Sequence, residues 1–280
     1  MILISAQDVQ KSFGTHEVLK GVSFSLQKGE KMGLVGVNGC GKTTLMRIIS
    51  GEAEADGGMV HKNRDLRIGY LRQVDDIALT DTVWEALLRV FEPVIAMERR
   101  LRGLEAQMEQ NADPQTALRL TGEYQRLLDR YNEAEGYAYE GEMLGVLNGL
   151  GLKPDMHGRK VGTLSGGERQ RVYLAMTLSQ DTEILFLDEP TTYLDIGQKY
   201  EMLELIAQVN AMGKTVVMVL HDLPLAFSYS HQVVVLEKGR LAAQGPADQV
   251  FASGVPARVF GVKSQALEVD GRQEYFFYQA

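Results

Sequence analysis

GVNGCGKT, residues Gly36 to Thr43, follows the apolar run Met32-Gly33-Leu34-Val35 directly and leads into Leu45-Met46-Arg47-Ile48-Ile49. Strand, glycine-rich turn, helix is the context in which G-x-x-x-x-G-K-[ST] forms a phosphate-binding loop. Gly36, Gly39 and Gly41 let the backbone curl so that successive N–H groups point at phosphate oxygens, and the helix N-terminus adds its dipole. Lys42 is placed to neutralise the outer phosphates and the Thr43 hydroxyl to sit on Mg²⁺. Asn38, Cys40 and Thr44 complete the loop. Cys40 reads as a small residue that tolerates a tight turn, not as a reactive thiol.

Working outward, three more short apolar runs match Met32 to Val35: Ile184 to Leu187, Thr215 to Leu220 and Val233 to Leu236. Continuous apolar runs of this length predict strands buried on both faces of a parallel sheet. Helical patterns over Gln170 to Ser179 and Lys199 to Asn210 lie between them, so the fold class is α/β. Phe13, Val18, Val22 and Phe24, set among Gly and polar turn residues, predict short antiparallel strands beside that core. ILFLDEP, Ile184 to Pro190, ends a strand on two carboxylates. Asp188 is placed to hold the Mg²⁺ shell and Glu189 to polarise an attacking water in phosphoryl transfer. LSGGE, Leu164 to Glu168, precedes a helix expected to start near Arg169, so Ser165, Gly166 and Gly167 form a second backbone nest. One nucleotide rarely needs two phosphate cradles in one chain; a second copy facing the first head to tail accounts for both.

The middle of the chain changes character. Val94, Met97, Leu101, Leu104 and Met108 repeat at spacings of three and four, and Ala117, Leu120, Tyr124, Leu127, Tyr131 and Ala134 do the same after a polar turn. This pattern predicts an antiparallel helical hairpin over residues 92–135 with one apolar seam, Asp113 as N-cap and Pro114 in the first turn. Its single apolar stripe is that of an arm projecting from a helical subdomain; the alternative is two packed helices of that subdomain with no projection into solvent. The terminal Tyr275-Phe276-Phe277-Tyr278 reads as a last strand covering an apolar face.

The 280 residues are 45% hydrophobic and 24% charged, which excludes disorder of the whole chain. One cysteine excludes a disulfide framework and fits a reducing compartment. No apolar run approaches the roughly 18–20 residues needed to cross a bilayer, and MILISAQDVQ lacks the basic flank and cleavage pattern of a signal peptide. A net charge of −8 argues against direct nucleic-acid binding. The expectation is a cytoplasmic globular protein.

The order GVNGCGKT, Gln73, LSGGERQR, ILFLDEP, TTYLD and His221 resembles the nucleotide-binding domain of ATP-binding cassette (ABC) proteins, from about Ser5 to Val262. The resemblance implies a P-loop ATPase core with a mostly parallel sheet, an antiparallel β subdomain, and a helical subdomain carrying the hairpin. A single nucleotide-binding domain would fill residues 1–280, with the helical subdomain at 74–162 and a C-terminal extension at 241–280. ATP and Mg²⁺ would be the cofactors. Phe13 would stack on adenine, Gln73 would contact the metal and act in catalysis with Glu189 and His221, the latter touching the γ-phosphate, and Asp195 would sit at an interface between paired cassettes.

Two families share the resemblance. LSGGERQRVYLAMTL, TTYLDIGQKYEMLELI and MVLHDLPLAFSYS look like importer ATPases for iron–siderophore and related metal–chelate substrates. EKMGLVGVNG, LRIGYLRQ, TVWEALL and the hairpin with its GYAYEGEMLGVLNGLG exit look like the ABC-F family, whose members act on ribosomes. ABC-F proteins usually carry two cassettes, and this sequence holds one. Between Glu85 and Glu135 there are seven Arg and no Lys against ten acidic residues, a net of −3 that suits RNA phosphates poorly. The expectation is therefore an importer ATPase subunit, paired with a second cassette and a membrane permease on the inner face of the membrane. The alternative is an ABC-F-like ATPase acting on the ribosome.

Overall fold

The computed structural model describes residues 1–64, 66–71, 79–110, 113–180 and 182–279. They form two compact units, one of residues 1–76 with 181–280 and one of residues 77–180.

In the first unit, β1 (Ile2–Phe13) and β2 (His16–Gln27) pair antiparallel. β3 (Lys31–Gly36) then runs into helix α1 (Lys42–Ser50), followed by β4 (Gly57–Lys62) and β5 (Ile68–Leu71). β2, β1 and β4 make a three-stranded antiparallel sheet. β1 and β2 have twelve residues each, longer than the short strands the sequence predicts. Register shifts, among them one between Ala6 and Val9 where Asp8 takes φ 50°, break the alternation on which strand length is read.

The second unit is helical. α2 (Val83–Leu88) starts at a capping box between Thr82 and Glu85. α3 (Glu92–Gln110) and α4 (Pro114–Glu133) form the hairpin, and Asp113 caps α4 by accepting from Thr116 N–H at 2.9 Å. Leu101, Leu104, Leu120 and Tyr131 are buried along the seam, and the remaining seam positions are half-buried except Ala134, which is exposed. α5 (Tyr139–Gly149), α6 (Pro154–His157) and α7 (Gly166–Leu178) complete the unit.

The chain then returns to the first unit as β6 (Ile184–Asp188), α8 (Ile196–Ala211), β7 (Thr215–Val219), α9 (Leu223–Tyr229) and β8 (Gln232–Glu237). β9 (Arg240–Pro246), α10 (Ala247–Ala252), α11 (Val255–Phe260), β10 (Lys263–Val269) and β11 (Arg272–Tyr278) follow. The central sheet has the order β5-β6-β7-β3-β8-β9, with only β9 antiparallel. All four apolar runs read from the sequence are strands of this sheet. β3, β6 and β7 are buried at every position, as parallel strands covered on both faces must be. The main core joins the two sheets through α1, with Leu26, Met32, Leu45, Met46 and Phe186 among its members.

β11 alternates as the aromatic tail predicts. Tyr275 and Phe277 have ring centroids 5.5 and 5.6 Å from Phe227, while Phe276 and Tyr278 are exposed. Phe227 is 2% exposed and also meets Phe251 at 5.8 Å. Phe227→Ala should cost about 3–5 kcal/mol in urea unfolding; a loss under about 1 kcal/mol would show that the cluster does not hold the C-terminal hairpin in place.

Candidate functional site

The loop after β3 is built by close approach. A Cβ on Gly36 would lie 2.5 Å from both Cys40 Sγ and the Leu236 carbonyl oxygen, so only glycine fits against β8. Gly39 and Gly41 take φ of 76° and 103°, and Gly41 is the N-cap of α1. Lys42 is 6% exposed, and its Nζ donates to the Gly36 carbonyl at 2.8 Å across the mouth of the loop. Cys40 is 3% exposed, and burial pushes its thiol pKa up, which fits the packing role expected of it.

β6 ends in Asp188 beside this loop. Its carboxyl is buried, and burial raises its pKa, with the Thr43 side chain opposing the shift. Tyr70 of β5 donates to Asp188 Oδ2 at 3.3 Å, whereas Asp188 Oδ1 has no hydrogen-bond partner among the described residues. A buried acceptor left open is costly unless a donor or cation fills it. A hydroxyl and a carboxylate oxygen are the hard donors that Mg²⁺ takes, so Thr43 and Asp188 fit that ion.

Glu189 stands one residue on with φ 55°, a left-handed conformation that costs a side-chain-bearing residue on the order of 1–3 kcal/mol. Several contacts hold it there. Its N–H donates to the Val219 carbonyl at 3.1 Å, Oε2 accepts from Thr192 Oγ1 at 3.0 Å, and Oε1 lies 2.5 Å from His221 Nε2. Burial pulls its pKa up, but the bonds from His221 and Thr192 outweigh it, and the net shift is downward. A carboxylate kept ionised at the end of a strand is suited to accept a proton from water.

Lys42, Thr43, Glu189 and His221 border one open cleft of about 550 Å³, within the 300–1,000 Å³ range of small-ligand sites, whereas Gly36, Cys40 and Asp188 do not line it. Phe13, Asn38, Gly39, Gly41, Lys42, Thr43, Thr44, Glu189 and His221, nine of the residues picked from the sequence, line it together with Val18. Asp195 does not line it; its carboxylate caps α8 by accepting from Gln198 N–H at 2.8 Å. Gln73 lies outside the described residues. Ser165, Gly166 and Gly167 belong to the other unit. There Ser165 caps α7 in a reciprocal capping box with Glu168, so the helix begins at Gly166, three residues earlier than expected. Tyr70 and Thr192, which donate to Asp188 and Glu189, are contacts the sequence reading missed. Both sit inside quoted motifs, GYLRQ and TTYLD, which was the available signal.

A family model described as ABC transporter matches residues 19–192, more than half of the chain. The chain belongs to the ABC transporter family. The ABC transporter ATP-binding protein YfmM of Bacillus subtilis (strain 168) is 33% identical over 96% of this chain. The petrobactin import ATP-binding protein FpuC of Bacillus anthracis is 31% identical over 96% of it. ABC transporter F family member 5 of Arabidopsis thaliana is 31% identical over 84%. This cassette spans 50% of the length of YfmM and 34% of the F family member, but 91% of FpuC. A solved metal-chelate type ABC transporter in an inward-facing conformation shares the fold, with a TM-score of 0.72 at 18% identity over 100% of this chain and 97% of that one. The chain is thus an ATP-binding cassette with an ABC ATPase fold. Lys42→Ala should raise the Kd for ATP at least about tenfold, the scale of one lost charge-assisted contact, in isothermal titration; unchanged affinity would remove the phosphate loop from the binding site.

Proposed function

We propose that the chain is the ATP-hydrolysing subunit of an ABC importer of the metal–chelate type, working as a head-to-tail pair of cassettes. The observation that carries the hydrolytic part is the Glu189–His221 pair on the wall of the cleft that Lys42 and Thr43 also border. Glu189 accepts the proton of the attacking water, and His221 holds the Glu189 carboxylate in place and meets the γ-phosphate. Lys42 and the loop N–H groups bind the β- and γ-phosphates. Thr43 and Asp188 would hold Mg²⁺, with Gln73 as the further metal contact the family resemblance implies, and the ion would neutralise phosphate charge. Ser165, Gly166 and Gly167 of a second cassette close on the ATP held by the first, and Asp195 lies at that interface. ATP binding energy then goes into closing the pair.

The importer assignment rests on near full-length likeness to a petrobactin import ATP-binding protein. A permease partner follows from that assignment, and so does a place at the inner face of the membrane; among the described residues no helix is long and apolar enough to cross it. Tagged Glu189→Gln protein, fractionated from its native cells with ATP present, should sediment with membranes and bring down a permease. Sedimentation with ribosomes would overturn the importer assignment in favour of ABC-F-like action, with the α3–α4 hairpin as the contacting arm.

A further inference from the structure

Phe13 poses a physical problem. It ends β1 at a two-residue turn, is 58% exposed, and borders the cleft without the packing that fixes a core aromatic. An exposed ring on a turn samples several rotamers unless something other than the core restrains it.

The restraint comes from one carboxylate. Asp56, just ahead of β4, binds Lys11 Nζ through Oδ1 at 2.7 Å and the Ser12 N–H through Oδ2 at 2.7 Å. Its own N–H donates to the Gln10 carbonyl at 2.9 Å. Three consecutive residues leading to Phe13 are therefore tied to Asp56. Lys11 Nζ in turn stands 5.6 Å from the centroid of the Phe13 ring, within cation–π range, and its side chain is only 16% exposed. These bonds to Lys11 and Ser12 hold the Asp56 carboxyl below the usual carboxylate range. Asp56 is itself anchored by the approach of β4 to β1. Gly57 pairs with Gln10, and a Cβ on Gly58 would lie 2.2 Å from the Asp8 carbonyl oxygen. With an ammonium on one face of the ring, one face remains for a base, and Lys11 is not among the residues lining the cleft.

We propose that Asp56 is a positioning residue for the base end of the nucleotide site, acting through Lys11 and Ser12 to hold the Phe13 ring as a fixed stacking surface. The inference rests on the reading of Phe13 as the residue that meets adenine. It requires that Asp56 matter for ligands that carry a base and not for those that carry only phosphates.

Isothermal titration of the full chain with ATP and with inorganic tripolyphosphate separates these requirements. Asp56→Ala should weaken ATP about three- to tenfold, the scale of losing a restrained cation–π and ion-pair contact, and leave tripolyphosphate within about twofold. Asp56→Asn, which keeps an acceptor for the Ser12 N–H but drops the charge facing Lys11, should fall between wild type and Asp56→Ala. Phe13→Ala should weaken ATP by about tenfold, as loss of a base–aromatic stack does, and spare tripolyphosphate. If Phe13→Ala weakens ATP and neither Asp56 variant does, the positioning role is wrong and the base-end reading stands. If Phe13→Ala leaves ATP binding unchanged, the base-end reading fails and takes the positioning role with it. Equal weakening of both ligands by the Asp56 variants would mean a general loss of fold and would also overturn the proposal.

Discussion

The parallel register of β6, β7 and β3 is the constraint on which the rest of the site depends. Leu34 and Asp188 both stand opposite Val219, so β6 and β7 end level at one end of the sheet and β3 runs two residues further, to Gly36. From that end leave the loop that begins at Gly36, the Asp188-Glu189 pair and His221 two residues beyond Val219. Two hydrogen bonds extend the register past the strands: the Leu220 N–H to the Leu34 carbonyl at 3.3 Å and the Glu189 N–H to the Val219 carbonyl at 3.1 Å. All three strands are buried on both faces, so apolar alternation contributes little to the choice of register. The close fit of individual residues does more. Gly33 lies under Ser230, and Gly36 admits no side chain beside Cys40 and Leu236.

This explains what could be read from the sequence and what could not. Continuous apolar runs announce doubly buried strands, so four strands of the central sheet were visible without the structure. β5 and β9 were not: β5 has four residues and β9 is a half-exposed edge strand, and neither length nor pattern separates such segments from loop. The hairpin was legible because its two seams keep one spacing from Val94 to Met108 and from Ala117 to Ala134, and Asp113-Pro114 marks the start of the second. The beginning of α7 was misplaced because Gly166-Gly167 reads as loop, while Ser165 and Glu168 in fact close a capping box around those glycines.

The site follows the same division. The picked residues that line the cleft could be picked because a motif fixes residue types at fixed spacing. Tyr70 and Asp188 meet across 118 positions, and Asp56 meets Ser12 across 44. No local pattern encodes such pairs; only the sheet pairing that brings β5 to β6, and β4 to β1, does. Thr192 was missed for another reason. Its hydroxyl acts on Glu189 three residues back through the turn that gives Glu189 its positive φ, and a strained turn leaves no periodic trace in sequence.

Glu189 is where the proposed chemistry concentrates. Its backbone is strained, its carboxylate is shared between Thr192 and His221, and its place on the cleft wall depends on the β6–β7 register. The central claim is that this carboxylate takes the proton of water while contributing little to holding ATP. Steady-state turnover and ATP affinity of Glu189→Gln test it most directly. The account predicts a fall in kcat of about 10²–10⁴, the range for loss of a general base, with the Kd for ATP within about threefold of wild type. Turnover near the wild-type rate would contradict it.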